Sequence, residues 1–180
     1  MKIKYMFPKA HAAAYMIATL RLGWYKVYKP VEYYAAYFTV RGEDFDGLSV
    51  MKGKEGVKRK MGEIIAKGKE ASAKELSAYS TFQIVNEMLA RNIEVLPVDL
   101  YKSDAYKFLV EDGKIRLPFC SLSGVGESAA QSLVDSRAEG EYLSIDDIQV
   151  RSKVTKAVIE TLENAGVLKN MPTSNQMSFF

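Results

Sequence analysis

Cysteine and histidine are almost missing from this sequence of 180 residues. Cys120 is the only cysteine and His11 the only histidine. One cysteine cannot form an internal disulfide, and the two residues together fall short of the four ligands of a structural zinc site, so we expect no metal site. A sequence this poor in cysteine is typical of a reducing compartment, and we expect a cytoplasmic protein.

Long hydrophobic segments are also missing. The longest apolar run, residues 12–20, is followed at once by Arg21, whereas a membrane-spanning helix needs about 20 apolar residues. We therefore expect a soluble protein with no membrane partner.

Acidic residues are absent before Glu32, and a second basic run, "KGKEGVKRK", covers residues 52–60. The cations that precede Glu32 are Lys2, Lys4, Lys9, Arg21, Lys26 and Lys29. Because the net charge of the whole chain is only +3, two local basic regions suggest a polyanionic partner. Solvated helix faces are the commoner explanation of such runs.

Capping and turn residues predict helices joined by a short β-region, so the expected fold class is mainly α with a small β-hairpin (α+β). Pro8 and Pro30 each begin a helix, and Ser72 with Glu75 forms a capping box. Asp112-Gly113 is the expected hairpin turn. Further helices are expected after Gly126, after Ser144 and up to Gly166, and the last two helical units could be a degenerate pair.

The sharpest motif lies in "SLSGVGESAAQSLVDSR", residues 121–137, as the pattern hydrophobic-x-Gly-hydrophobic-Gly. Its residues are Leu122, Gly124, Val125 and Gly126. Two glycines allow a tight turn whose backbone N–H groups, with the dipole of the following helix, can hold a phosphate. The pattern resembles a helix-hairpin-helix motif, which binds duplex backbone without reading sequence. A plain connection between packed helices explains these residues equally well.

Some charged residues near this turn would attract a phosphate and one would repel it. Arg137, Arg151 and Lys153 are candidate contacts to flanking phosphates. Glu127, in the first turn of the following helix, suits the helix dipole but would repel a phosphate beside it.

Lys9 and His11 lie at the start of the first helix, just after Tyr5 and Phe7. An ammonium, an imidazole and a helix N-terminus could bind the phosphates of a nucleotide while a ring stacks on its base. The residues alone favour a simpler interpretation, a strand followed by a core histidine. No acid or nucleophile near His11 in the sequence would make it a catalytic base, so no catalytic residue is assigned.

Four segments occur together and in order: "YMFPKAHAAAY", "YKVYKPVEYYAAYFTVR", "LPFCSLSGVGESAAQSLVDSR" and the terminal "NQMSFF". Together they resemble the C-terminal part of the PolC-type DNA polymerase III alpha subunit, the C-family replicative polymerase of low-GC Gram-positive bacteria. The resemblance covers residues 3–180.

The resemblance implies a role for the first and third segments. The first is similar to the end of the fingers, so Tyr5, Phe7, Lys9 and His11 would lie near the incoming deoxynucleoside triphosphate, with Lys9 at its phosphates and Phe7 or Tyr5 at its base. The third is similar to the helix-hairpin-helix element that holds the primer–template duplex behind the active site.

The terminal segment is similar to the short motif by which bacterial polymerases bind the beta sliding clamp. The matching residues are Gln176, Met177, Ser178, Phe179 and Phe180. Apolar anchors of such an extended peptide dock in a hydrophobic groove, and the glutamine fixes the register. Phe179 stands where the family most often has leucine, which keeps the apolar chemistry but widens the anchor.

Carboxylates that could hold the metals of phosphoryl transfer are not recognisable in the sequence. The acidic clusters at residues 43–46 and at Asp146 and Asp147 are typical of helix starts. The resemblance places the catalytic carboxylates and their Mg²⁺ in the palm, which with the thumb and exonuclease lies outside this chain. We therefore expect a piece of a bacterial, cytoplasmic DNA-directed DNA polymerase that serves DNA replication but is inactive alone.

The resemblance also implies four units. Residues 1–92 would be the helical C-terminal part of the fingers domain, residues 93–118 an extended connector with the β-hairpin, residues 119–168 the helix-hairpin-helix region, and residues 169–180 a flexible tail with the clamp motif.

Two other functions stay open. A free-standing, non-enzymatic adaptor for DNA and the clamp predicts that the aromatic-rich first forty residues are packed internally. An unrelated all-helical interaction protein predicts that neither DNA nor the clamp is bound.

Overall fold

Helices dominate the computed structural model, which describes residues 8–42 and 44–174. Within these ranges the helices are α1 Lys9–Tyr28, α2 Pro30–Arg41, α3 Gly47–Met51, α4 Gly53–Lys67, α5 Ala73–Ala90, α6 Glu127–Ser136, α7 Ile145–Ser152 and α8 Lys156–Asn164. The strands are β1 Val95–Leu96, β2 Leu109–Glu111 and β3 Lys114–Arg116. The prediction of a mainly helical chain with a small β-region is confirmed.

The predicted capping box is present at the connection between α4 and α5. Gly68 ends α4 with a φ of +52°. Ser72 then begins α5 by accepting a hydrogen bond from the Glu75 N–H, while the Glu75 carboxylate accepts one from the Ser72 N–H at 2.9 Å. Hydrogen bonds from Lys67 and Ser72 lower the pKa of Glu75 to about 2. The capping box is therefore confirmed.

A short helix that was not predicted, α3, precedes α4. The Asp46 carboxylate caps it by accepting a hydrogen bond from the Ser49 N–H at 3.0 Å, as expected for an acidic residue at a helix start. Five residues are too few to show a helical period in a sequence. Gly47, the first residue of α3, lies so close to Ser121 that a side chain would come within 2.8 Å of the Ser121 carbonyl oxygen.

The sheet joins the two halves of the chain. The predicted hairpin β2–β3 is present with its turn at Asp112–Gly113, and β1 adds to β3 in parallel, with Val95 opposite Ile115. An aromatic cluster ties α2 to the hairpin, and the Phe108 N–H donates to Thr39 Oγ1 at 3.0 Å. The cluster consists of Phe38, Phe45 and Phe108, with ring centroids 4.8–5.6 Å apart.

No residue of α1 is buried by the part of the chain that the structure describes. Lys26 holds the end of this helix to α5 through Glu87, with 2.8 Å between Nζ and Oε2, and Arg91 donates to the Lys26 carbonyl at 3.1 Å. Large apolar side chains of α1, among them Leu20 and Trp24, are more than half exposed. So apolar a helix is expected to be buried, but residues 8–42 and 44–174 do not bury it.

None of the helices described combines the length and the apolar character needed to cross a lipid bilayer.

Candidate nucleic-acid interface

The predicted glycine turn links a single 3₁₀ turn, Phe119–Ser121, to α6. Gly124 has a φ of +100°, a conformation that favours glycine. Val125 is buried and its N–H donates to the Leu122 carbonyl at 3.0 Å. The element before the turn is therefore shorter than the full helix expected, while the turn itself is tight and closed by a backbone hydrogen bond.

The N-terminus of α6 carries no side-chain cap. Gly126 occupies the N-cap position, and the first intrahelical bond runs from the Ala130 N–H to the Gly126 carbonyl at 2.9 Å. The N–H groups of residues 127–129 have no intrahelical acceptor, as at any helix start. A Cβ at Gly126 would meet no atom within 4 Å, so the N-cap position borders open space.

A second turn with a similar backbone geometry joins α7 to α8. Lys153 has a φ of +55° where Gly124 has a positive φ. Val154 is buried as Val125 is. Thr155, the N-cap of α8, has φ −74° and ψ 159°, and Gly126 has φ −77° and ψ 163°. The last two helical units are therefore a degenerate copy of the first hairpin.

The helices that follow the two turns bury equivalent positions. Four and seven residues after each N-cap lie buried apolar side chains, Ala130 and Leu133 in α6 and Ile159 and Leu162 in α8. In the sequence, the second turn is indicated by apolar residues four and seven positions after a polar N-cap. The turn was not predicted because Lys153 stands where the motif has glycine.

Both predicted arginines are engaged inside the chain. Arg137 Nη1 donates to the carbonyls of Leu100 and Ser103, at 3.1 and 2.7 Å. Arg151 donates to the Ser136 and Gly140 carbonyls.

The Arg151 guanidinium also lies over the Tyr142 ring, 4.5 Å from its centroid. Burial raises the pKa of the Tyr142 hydroxyl, which donates to the Leu133 carbonyl. These contacts hold the α6–α7 connection, so a DNA contact by Arg137 or Arg151 stays a prediction that their geometry does not favour.

Lysines at the second turn are placed differently. Lys153 and Lys156 are exposed and, in the described parts of the chain, have no carboxylate partner. Lys153 was predicted, whereas Lys156 in the first turn of α8 was missed. The turn before α6 thus presents uncapped N–H groups, and the turn before α8 presents two ammonium groups.

A cavity of about 300 Å³ lies between α2, the hairpin and the glycine turn. Its walls include Phe38, Phe108, Cys120 and Gly126. Burial, with smaller contributions from Glu127 and Asp104, raises the pKa of the Cys120 thiol. The thiol therefore stays protonated at neutral pH beside the turn.

Of the predicted nucleotide-binding residues, Lys9 and His11 lie in the exposed first turn of α1, where no side chain caps the helix and no acidic residue is present. The His11 ring lies against Tyr15, with 4.4 Å between centroids. Tyr5 and Phe7 lie outside the described residues. The structure therefore describes only two of the four predicted nucleotide-binding residues.

The predicted clamp-binding residues also lie outside the described residues. They are Gln176, Met177, Ser178, Phe179 and Phe180. The segment before them is attached to the body, because the N–H groups of Ile145 and Asp146 donate to the carbonyls of Pro172 and Thr173 at 2.9 and 3.0 Å. Residues 172 and 173 are thus held at the first turn of α7.

The acidic side chains of the described residues are spread along the chain. Residues 8–42 and 44–174 contain no group of three or more His, Cys, Asp or Glu side chains placed to hold a metal ion. Asp146 and Asp147 are in the first turn of α7, and the Asp147 carboxylate accepts from the Leu143 N–H at 3.0 Å. The acidic pair therefore serves the helix start and does not fit a Mg²⁺ site.

Comparison with known proteins places these features in a wider sequence context. A family model described as a helix-hairpin-helix motif matches residues 92–177. The PolC-type DNA polymerase III of Clostridium perfringens is 49% identical over 179 residues, which are 99% of this chain and 12% of that protein.

Two further relatives give the same result. The PolC-type DNA polymerase III of Halalkalibacterium halodurans is 48% identical over 180 residues, or 100% of this chain and 13% of that protein. That of Listeria innocua is 46% identical over 179 residues, 99% of this chain and 12% of that protein. The chain thus spans about one-eighth of the length of the curated relatives it matches.

Proposed function

Because the chain belongs to the PolC-type DNA polymerase III family, we propose that it supplies the duplex-binding part of a bacterial DNA-directed DNA polymerase. The observation that carries the proposal is the uncapped start of α6, with open space in front of Gly126. A phosphate of the primer–template duplex would occupy that space. The N–H groups of residues 127–129 would donate to it.

The second turn extends the contact along the same duplex. Lys153 and Lys156 would neutralise further phosphates, because ammonium groups attract the DNA backbone irrespective of its sequence. Neither turn presents side chains suited to reading base edges, so binding independent of sequence is expected. Glu127 limits how closely a phosphate approaches the first turn.

Substitution of Gly126 by valine tests this role. The extended φ and ψ of Gly126 are compatible with a β-branched residue and a Cβ there would meet no atom within 4 Å, so the fold should persist. Hydrogen bonds to charged groups contribute about 1.5–3 kcal/mol, and duplex affinity should fall roughly tenfold or more.

The matched control is Gly23→Val, at another glycine with open space around it, on α1. It should bind duplex as the wild type does. An unchanged affinity of the Gly126→Val variant, with an unchanged circular dichroism spectrum, would refute the assignment of the turn.

We also propose that the start of α1 contacts the incoming deoxynucleoside triphosphate in the fingers of the complete polymerase. The uncapped, acid-free first turn with Lys9 and His11 supports binding of phosphates, with Tyr5 and Phe7 near the base. In the complete polymerase, Lys9→Gln should raise the KM for the nucleotide, whereas Lys29→Gln at the other end of α1 should not. Equal KM values in all three enzymes would contradict the proposal.

Binding of the beta sliding clamp is proposed for residues 176–180. The attachment of Pro172 and Thr173 to α7 supports it, because the motif would leave the body from a fixed point. Removal of Phe179 and Phe180 should abolish capture on immobilised clamp, while Asn175→Ala, just before the motif, should leave it unchanged. Normal capture of the truncated chain would contradict the assignment.

Catalysis requires Mg²⁺ held by carboxylates elsewhere in the polymerase, since the residues described in this chain do not fit such a site. The exposed α1 helix also differs from what a free-standing adaptor predicts, namely internal packing of the first forty residues. An antibody against the terminal peptide should detect a product many times larger than 20.2 kDa in cells. A product of 20.2 kDa alone would favour the adaptor.

A further inference from the structure

The start of α4 is the most densely charged part of the chain. Residues 52–60 contain five cations and one carboxylate, so this segment holds more excess positive charge than the +3 of the whole chain. The functions proposed for the two turns and for residues 176–180 do not involve these residues. Their charge therefore calls for a separate explanation.

Lys52 is exposed at the N-cap of α4, and the other four cations of this segment divide into two groups. Arg59 and Lys60 both contact Glu63, at 3.9 and 3.2 Å, so part of their charge is neutralised within the helix. Lys54 and Lys58 are exposed and have no carboxylate partner among the residues described. Because they are four residues apart, the two ammonium groups share one face of α4.

Gly62 continues the same face four residues further on. It lies exposed in the interior of α4, and a side chain there would meet no atom within 4 Å. Glycine destabilises a helix interior relative to alanine, and neither packing nor a positive φ requires it here. The missing side chain leaves room for a phosphodiester backbone to lie against the helix. We name Lys54, Lys58 and Gly62 the α4 stripe.

Close packing joins α3, which directly precedes α4, to the glycine turn. Gly47, at the start of α3, contacts Ser121, which directly precedes Leu122 of the turn. A duplex carries one negative charge about every 1.7 Å of its length. A duplex held at the turn would therefore offer many phosphates to the neighbouring elements.

We propose that the α4 stripe is a second binding site for the DNA backbone, separate from the two turns. The inference rests on the proposed function, because it takes the turns to hold a duplex. Phosphates are favoured over an acidic protein segment because the stripe has none of the aromatic or arginine anchors that dominate protein interfaces. Binding at the stripe is independent of base sequence.

The double variant Lys54→Gln/Lys58→Gln tests the proposal in the 180-residue chain. Binding to a fluorescently labelled duplex is followed by anisotropy between roughly 50 and 200 mM salt. Each lost phosphate contact reduces the slope of log K against log salt by about 0.9, so a reduction of about 1.8 is expected. Affinity at the lowest salt should fall by roughly tenfold or more.

The matched control is Lys69→Gln/Lys74→Gln. Both lysines are exposed, have no carboxylate partner among the described residues, and lie beyond the other end of α4. Their replacement removes the same charge, so a general effect of net charge would change both slopes equally. The proposal predicts a slope change in the control of less than half that of the stripe variant.

A substitution at Gly62 tests close approach without removing a lysine. Gly62→Glu introduces a good helix former but places a negative charge on the stripe, and duplex affinity should fall at least fivefold by loss of a phosphate contact. Gly62→Ala should raise the melting temperature, while its added methyl group should lower duplex affinity less than Gly62→Glu does. Wild-type affinity of the Gly62→Glu variant would overturn close approach of the backbone at this site.

The outcomes separate the stripe from the turns. If the stripe variant keeps the wild-type slope while Gly126→Val weakens binding, the stripe is refuted and the proposed function stands. If the stripe variant loses slope while Gly126→Val binds normally, the turn is refuted and the stripe stands. A wild-type chain that binds no duplex refutes both. Loss of binding to a polyglutamate peptide, with duplex binding unchanged, would assign the stripe to an acidic protein.

Discussion

The two turns of the C-terminal half have similar backbone dihedrals but different chemistry. At the first, glycine has the positive φ and α6 begins without a side-chain cap. At the second, Lys153 has the positive φ and Thr155 caps α8 by accepting a hydrogen bond from the Val158 N–H. One turn offers bare backbone donors, and the other offers ammonium groups in front of a capped helix. The comparison thus predicts two ways in which similar turns would bind one polyanion.

The largest effect on the free energy of unfolding is expected at the position two residues before each positive-φ residue, where the two hairpins differ most. Leu122 is buried two residues before Gly124, whereas the equivalent Arg151 donates to the Ser136 and Gly140 carbonyls. Arg151→Leu would make the second hairpin like the first but would leave those carbonyls unsatisfied. We expect the free energy of unfolding to fall by about 2–3 kcal/mol in urea denaturation. A loss below about 0.5 kcal/mol would show that the guanidinium is dispensable.

The positions with positive φ should respond with opposite signs. Gly124→Ala forces a Cβ into a conformation at φ +100° that alanine rarely adopts, at a cost of about 1–3 kcal/mol. Lys153→Gly relieves the smaller strain at φ +55° and should stabilise the chain by up to about 1 kcal/mol. Thermal unfolding measures both changes. The same sign for both would contradict the equivalence of the two turns.

The cap of α8 has a smaller expected effect. Thr155→Ala removes the side-chain acceptor for the Val158 N–H and should destabilise the chain by about 1 kcal/mol. Lys156→Gln, next to it, should leave stability unchanged and weaken duplex binding instead. Chemical denaturation and anisotropy on the two variants check this division. Loss of stability in both variants would contradict the assignment of Thr155 to helix capping and of Lys156 to DNA binding.

The smallest change should separate stability from binding at the first turn. Gly126→Ser gives α6 a side-chain cap like that of α8, and stability should rise by a few tenths of a kcal/mol. The serine hydroxyl would then compete with phosphate for the same N–H groups, so duplex affinity should fall. Melting temperature and anisotropy measure the two effects. A variant that is more stable and binds as tightly would show that phosphates do not use these donors.

The sequence predicted local structure well because local signals set it. The capping box at Ser72, the hairpin turn at Asp112–Gly113 and the helix starts after Gly126 and Ser144 all depend on residues a few positions apart. The helix start at residues 43–46 and the extended segment after residue 92 were expected, but α3 as a separate helix and β1 as a strand of the sheet were not, because each is shorter than a detectable period. The parallel pairing of β1 with β3 depends on tertiary packing.

Roles of charged residues were harder to predict than the elements that carry them. Arg137 and Arg151 were expected at a phosphate, but each donates to carbonyls that only the folded chain brings near. Lys156 was missed because the second turn has a lysine where the motif has glycine. Local basic regions suggest a polyanionic partner, whereas contacts within the chain decide which cations would remain available to it.

The most direct measurement is a titration of the ¹⁵N-labelled chain with duplex DNA, followed by the amide resonances of residues 127–129 and 153–156. The account predicts that the amides of Glu127, Ser128 and Ala129 shift progressively, since their N–H groups would donate to phosphate, and that Lys153 and Lys156 shift with them. Amides at the start of α6 that stay in place while the duplex binds elsewhere would contradict the central role of the glycine turn.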